Sequence, residues 1–261
     1  MKKILFYAFL FFTLGTSKIT YAHHQIAYLA PFDHYMVAFI SSGHHLPMGE
    51  KFSGLKRYSE VIVIDPSGKR IPIQAATNMG AFGFSVLPSD QKGLYILGIS
   101  AEHYGVKTTE GYFIGTKKEA LKAGRKVIEA KHTFRFSKSY RWNGQGAAPN
   151  LRVGHAIEIV PDKMPQVLKK GDELPVTLYF KGKPAANMII GVNSMTGSSE
   201  IGHPHETEKF LTTYKTDENG KAVLKMSDSG WLIFMAEKLI KNPEPDVDKL
   251  YYSTTLTLWV E

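Results

Sequence analysis

Cysteine is absent from this 261-residue chain. That excludes disulfides, a thiol nucleophile, thiolate metal ligation and protein-held iron–sulfur clusters. It also excludes a lipid anchor of the lipoprotein type, which needs a cysteine behind the export signal. Long apolar runs are equally scarce. Ile4 to Leu14 is one, and it falls short of the roughly 20 residues that span a bilayer as a helix. Motifs that announce an enzyme are missing too. There is no G-x-S-x-G elbow, no H-E-x-x-H pair and no phosphate loop, and the acids show no pairing for acid–base work. His205-Glu206 lacks the second histidine of a metalloprotease helix.

What the first residues do contain is an export signal. Lys2 and Lys3 precede the apolar run, and Thr20-Tyr21-Ala22 offers a small residue where a signal peptidase cuts. Cleavage after Ala22 leaves 239 residues beginning His23-His24 and lowers the formal charge from +8 to +5, because Lys2, Lys3 and Lys18 leave without an acid. The expected location is therefore the periplasm or the exterior. A modest positive charge without a basic stripe or a recognisable module argues against nucleic acid as a partner. No later segment of the mature chain is apolar enough to span a membrane.

The body reads as short strands divided by turns rich in Gly, Asp and Pro, such as Asp65-Pro66-Ser67-Gly68, Lys181-Gly182-Lys183-Pro184 and Asp217-Glu218-Asn219-Gly220. Lys117 to Ala130 is the one helical stretch, weakened by Gly124. The polar segment from Ser137 to Gly154 offers little to a core. The expected organisation is mainly β, with two tandem β-sandwich-like domains after a cleaved signal peptide. Residues 1–22 are the signal, 23–137 the first sandwich with its helical insertion, 138–154 a linker, and 155–261 the second sandwich.

Several motifs carry a family resemblance in order along the chain. They are Ala22-His23, Gly43-His44 with Gly49-Glu50, Gly93-Leu94-Tyr95-Ile96-Leu97 running to Ala101-Glu102, and His155 to Pro161. Gly171-Asp172-Glu173-Leu174, Gly182-Lys183-Pro184-Ala185, Thr216 to Ala222 and Gly230-Trp231-Leu232 complete the set. Together they resemble the periplasmic DUF4198 family, often described as nickel or cobalt uptake components. Gly171 to Trp231 also resembles transthyretin-like or carboxypeptidase-regulatory-like modules. The resemblance implies a periplasmic accessory that captures a metal ion or its chelate and passes it to a membrane transporter. It implies a histidine after the tryptophan strand, where this chain has Glu237-Lys238.

Ten histidines against no cysteines make imidazole the expected ligand, for nickel, cobalt, copper or zinc. An N-terminal His23 can chelate through its amine and Nδ1, and His24 through the amine and the intervening amide. His44 and His45 share a loop with Met48 and Glu50. His103 follows a strand expected to end at Ala101, and His203 and His205 form an i, i+2 pair in a polar insertion. The candidate metal residues are thus His23, His24, His44, His45, Glu50, His103, His203 and His205, while His34, His132 and His155 read as structural. Two other classes stand beside this one. An adhesive or envelope-structural sandwich protein would use Tyr140, Trp142, Tyr251 and Tyr252 as contact aromatics. A copper oxidase would pair His23 with His44 or His103 in a histidine brace; otherwise the chain does not read as an enzyme.

Overall fold

The computed structural model describes residues 24–43, 52, 54–194, 210–241 and 245–261. In chain order the first strands are β1 (His24–Phe32), β2 (Tyr35–Gly43), β3 (Glu60–Ile64), β4 (Arg70–Pro72), β5 (Thr77–Asn78), β6 (Phe82–Pro88), β7 (Gly93–Thr108) and β8 (Gly111–Ile114). Helix α1 (Lys117–Lys122) leads to β9 (Val127–Asn143), β10 (Ile157–Pro161), β11 (Glu173–Phe180) and β12 (Lys183–Pro184). The chain ends with β13 (Ile189–Ser194), β14 (Thr212–Lys215), β15 (Lys221–Lys225), β16 (Gly230–Lys241) and β17 (Lys249–Val260). Among the described residues no helix is long and apolar enough to cross a membrane.

The architecture is β-sandwich-like, with three sheets. A central sheet of nine strands runs β14-β13-β16-β17-β9-β7-β3-β4, with β8 added to β7. A front sheet orders β1-β2-β6-β5, and a back sheet holds β10, β11, β12 and β15. Strand β9 is the seam. It lies antiparallel to β7 and parallel to β17, so strands from both halves of the chain share one hydrogen-bonded layer.

Alternation along each central strand divides the cores. On β7, Leu94 and Ile96 point back to Ile157, Ile159, Leu174, Val176 and Leu178, while Tyr95, Leu97 and Ile99 point forward to Leu29, Met36, Ala38 and Ile40. Both faces are covered, which accounts for the near-continuous apolar run from Leu94 to Ile99.

The front sheet meets the central one through the free edge of β1. Ala27 and Leu29 pack toward β7, whereas Ile26 and Tyr28, on the opposite face of β1, pack toward Ile233 and Met235 of β16. Beneath that edge lie buried Ser137, Ser139, Thr255 and Thr257. Thr255 donates to Gln25 O at 2.7 Å and lies 2.7 Å from Ser137 Oγ. An unpaired strand edge carries backbone groups that need partners, and a hydroxyl-bearing strip supplies them where an apolar strip cannot.

Two local expectations change. The helix stops at Lys122 because Gly124 takes φ +73° and the β-branched pair Val127-Ile128 follows, favouring the strand. Its start is well defined: Thr116 and Glu119 form a reciprocal capping box. The segment beginning at Ser137 is no loop as far as Asn143; it completes β9. Two of its buried polar side chains, Ser137 and Lys138, have specific partners. Ser137 and Ser139 face the β1 edge, and Lys138 donates to Glu158 at 2.6 Å and to Leu151 O at 3.2 Å.

Candidate functional site

At the beginning of β1 the hydroxyl strip gives way to charge. One row across the central sheet reads Ala101, Arg135, Ser253, Glu237, each pair in register on neighbouring strands. His24 sits against this row, 1% exposed, with Nε2 3.8 Å from Glu237 Oε1, an ion-pair separation. Tyr251, in the next row, donates its hydroxyl to Glu237 Oε1. Burial, with the Glu237 charge adding to it, holds the Tyr251 phenol well above its ordinary pKa. Burial pulls the Arg135 guanidinium below its ordinary value, against the attraction of the Glu237 carboxylate. The niche therefore holds one imidazole, one carboxylate, one guanidinium and one neutral phenol, away from solvent.

The strand pairing also fixes what lies opposite. Gly43, the last residue of β2, is the register partner of His24. In sequence His44 follows Gly43 directly and His23 precedes His24. His23, His44, His45, Glu50, His203 and His205 lie outside the described residues. The 195–209 insertion departs from Ser194, paired with Leu232, five positions along β16 from Glu237.

Of the expected ligands, then, two can be placed. His24 is joined to Glu237. His103 is on the same face of the central sheet, in register with Thr133, one row further toward the sheet end. Three strand spacings separate β7 from β16, about 14 Å, so His103 and Glu237 do not share one ligand. Among the described residues no group of three or more His, Asp or Glu is arranged to hold a metal ion.

The histidines read as structural have defined surroundings. His155 is buried against Phe136, ring centroids 4.9 Å apart, and burial pushes its imidazole pKa down to about 4. His132 stacks on Tyr104 at 3.9 Å and pairs with Glu102 at 2.6 Å. His34 is exposed in the β1–β2 turn beside Asp33. Of the contact aromatics expected in an adhesive protein, Tyr140 and Tyr252 are core residues. Tyr251 belongs to the niche, and Trp142 borders a surface cavity.

Sequence reasoning missed Arg135, Tyr251 and Glu237 as neighbours of His24. The available signal was the alternation Ser253-Thr255-Thr257 on β17, which marks a buried polar face. Glu237 itself occupies the position where the resemblance implied a histidine.

The chain was compared with known proteins. No curated protein matches it. Among solved structures it is similar to the D0–D1 domain of intimin, at 14% identity and a TM-score of 0.20, covering 90% of this chain and 97% of that one. It is also similar to the Bacillus anthracis TIE protein, at 9% identity and a TM-score of 0.16, covering 92% of this chain and 40% of that one. Neither similarity is close enough to carry function. A domain of unknown function, DUF4198, matches residues 21–238, and the protein belongs to the DUF4198 family.

Proposed function

We propose that the protein captures a divalent transition-metal ion at the start of β1, in the periplasm, as an accessory for nickel or cobalt uptake. The observation that supports this reading is the pairing of His24 with Gly43; in the sequence His23 adjoins the first and His44 the second. The N-terminal amine left by signal cleavage, titrating near 8, would join His23 as a chelate. Glu237 is already engaged by Tyr251 and lies in the field of Arg135. Its part is to hold the His24 ring and the start of β1 in place, as a carboxylate behind a ligand-bearing segment does. Imidazole and amine donors suit nickel, cobalt, copper and zinc, with intrinsic affinity favouring copper. Ligands at a chain terminus exchange readily, which suits hand-off to a transporter.

Calorimetric titration of the exported protein, with its N-terminus verified by mass spectrometry, tests this. Micromolar or tighter binding of one ion, lost when a residue is added before His23, is expected. Absence of binding to nickel, cobalt, copper and zinc would sink the reading and favour the adhesive or envelope-structural one.

A further inference from the structure

The opposite end of the central sheet holds an unrelated feature. The chain has three tryptophans, far apart in sequence, and all three lie toward that end of the sheet, Trp142 against the back core and Trp231 on the front face. Trp231 and Trp259 are register partners on β16 and β17, with ring centroids 5.3 Å apart at 71°. Trp142 lies near the end of β9, and its indole N–H donates to Pro165 O at 2.8 Å, which fixes its plane. Along β9 this end is six residues beyond Arg135, about 20 Å away from the His24 niche.

Between the end of β9, the 164–168 loop and the end of β17 is a cavity of about 280 Å³. Trp142, Trp259, Arg141, Gln145, Gln166 and Glu261 line it. Trp259 is 37% exposed, a large aromatic ring left partly in water. Arg141 lies over the Trp259 ring, 5.8 Å from its centroid. Its Nε is buried with no hydrogen-bond partner among the described residues.

We infer that this cavity binds one ring of a neutral saccharide. Three properties select that class. Indole rings present flat apolar surface with a polar edge, matching the C–H face of a pyranose ring. Arg141, Gln145, Gln166 and Glu261 are planar groups that offer donors and acceptors in pairs, as adjacent sugar hydroxyls require. The nearby Glu261 carboxylate offsets the Arg141 charge, which weakens the attraction for an anion. The volume lies at the lower limit for small-molecule pockets, about 300 Å³, which restricts the contact to a single ring. Rim position and small contact area set the expected affinity near 1 mM, roughly −4 kcal/mol.

The indole N–H resonances of the three tryptophans report the site directly in ¹⁵N-labelled protein. The probes are glucose, galactose, mannose and N-acetylglucosamine, with glucuronate as the charged comparison. Saturable shifts of the Trp142 and Trp259 signals by at least one neutral sugar, no tighter with glucuronate, are expected. Trp259→Ala, followed through the Trp142 signal, and Arg141→Ala are expected to weaken binding about tenfold or more. Gln145→Ala, at an exposed position, is expected to weaken it by a smaller factor with an unchanged melting curve. No saturable shift with any neutral sugar overturns the inference. So does binding that survives both Trp259→Ala and Arg141→Ala, or a clear preference for glucuronate.

Discussion

Lys138 and Glu158 form a fully buried ion pair, at 1% and 0% side-chain exposure and 2.6 Å separation. They couple β9 of the central sheet to β10 of the back sheet. Glu158 also accepts the Val153 amide at 2.6 Å and the Gly154 amide at 3.1 Å, which holds the crossing segment in place. Burial pushes the Glu158 carboxyl up, but Lys138, His155 and the Val153 amide together bring it below its ordinary value. Burial pulls the Lys138 ammonium down to about 8 despite the attraction of Glu158. Each charge is thus tolerable only in the presence of the other. Lys138→Met leaves a buried carboxylate, and Glu158→Gln leaves a buried ammonium. Each single change is expected to cost about 3–5 kcal/mol. The double variant removes both charges, and the glutamine oxygen still accepts the Val153 amide while its NH2 faces the Gly154 amide, donor against donor; its cost is about 1–3 kcal/mol for the lost hydrogen bond. Urea unfolding of the four proteins at pH 7 measures the cycle. A favourable coupling of at least about 3 kcal/mol is expected. Single costs that add within about 0.5 kcal/mol would refute the claim that the pair acts as a unit.

Three further outcomes follow from particular contacts. His155 is held neutral with a pKa of about 4 against 6.5. The native state therefore binds fewer protons than the unfolded chain across that interval, and stability is lost as pH falls through it. The loss reaches about 3 kcal/mol, and His155→Leu, followed by urea midpoints between pH 7 and 4, should flatten that part of the profile. Tyr251→Phe removes the donor to buried Glu237 and should cost about 1–3 kcal/mol in a thermal or urea melt; an unchanged melt would show that the niche contributes nothing to β1 docking. The Phe52 ring occupies the space that a Cβ on Gly83 would need. Gly83→Ala should therefore lower stability by about 1–3 kcal/mol, and a neutral result would contradict the packing of Phe52 on β6.

The sequence made the β class and most turns legible, because Asp65-Pro66-Ser67-Gly68 and Asp217 to Gly220 carry turn chemistry that acts locally. Ser137 to Asn143 was not legible as strand. Its serines and lysine look solvated, and only the β1 edge in front and Glu158 behind make burial favourable. Both partners come from distant parts of the chain, with Glu158 20 residues on and Gln25, whose carbonyl is met through Thr255, 230 residues from it. The same non-locality hid the niche. His24 was readable as a candidate from its place behind the expected cleavage site, but Arg135, Glu237 and Tyr251 become its neighbours only through the β9–β17–β16 register. His103 was readable as lying just past a strand that in fact continues to Thr108, which carries it along the sheet and not into a loop.

Paramagnetic broadening offers the most direct test of metal capture at the start of β1. Substoichiometric copper or nickel would be added to ¹⁵N-labelled protein beginning at His23, and the loss of backbone amide signals mapped. The account predicts selective loss around His24, Gly43 and Glu237, with the Trp231 and Trp259 signals at the far end of the sheet unaffected. Broadening centred anywhere else, or uniform across the chain, would contradict it.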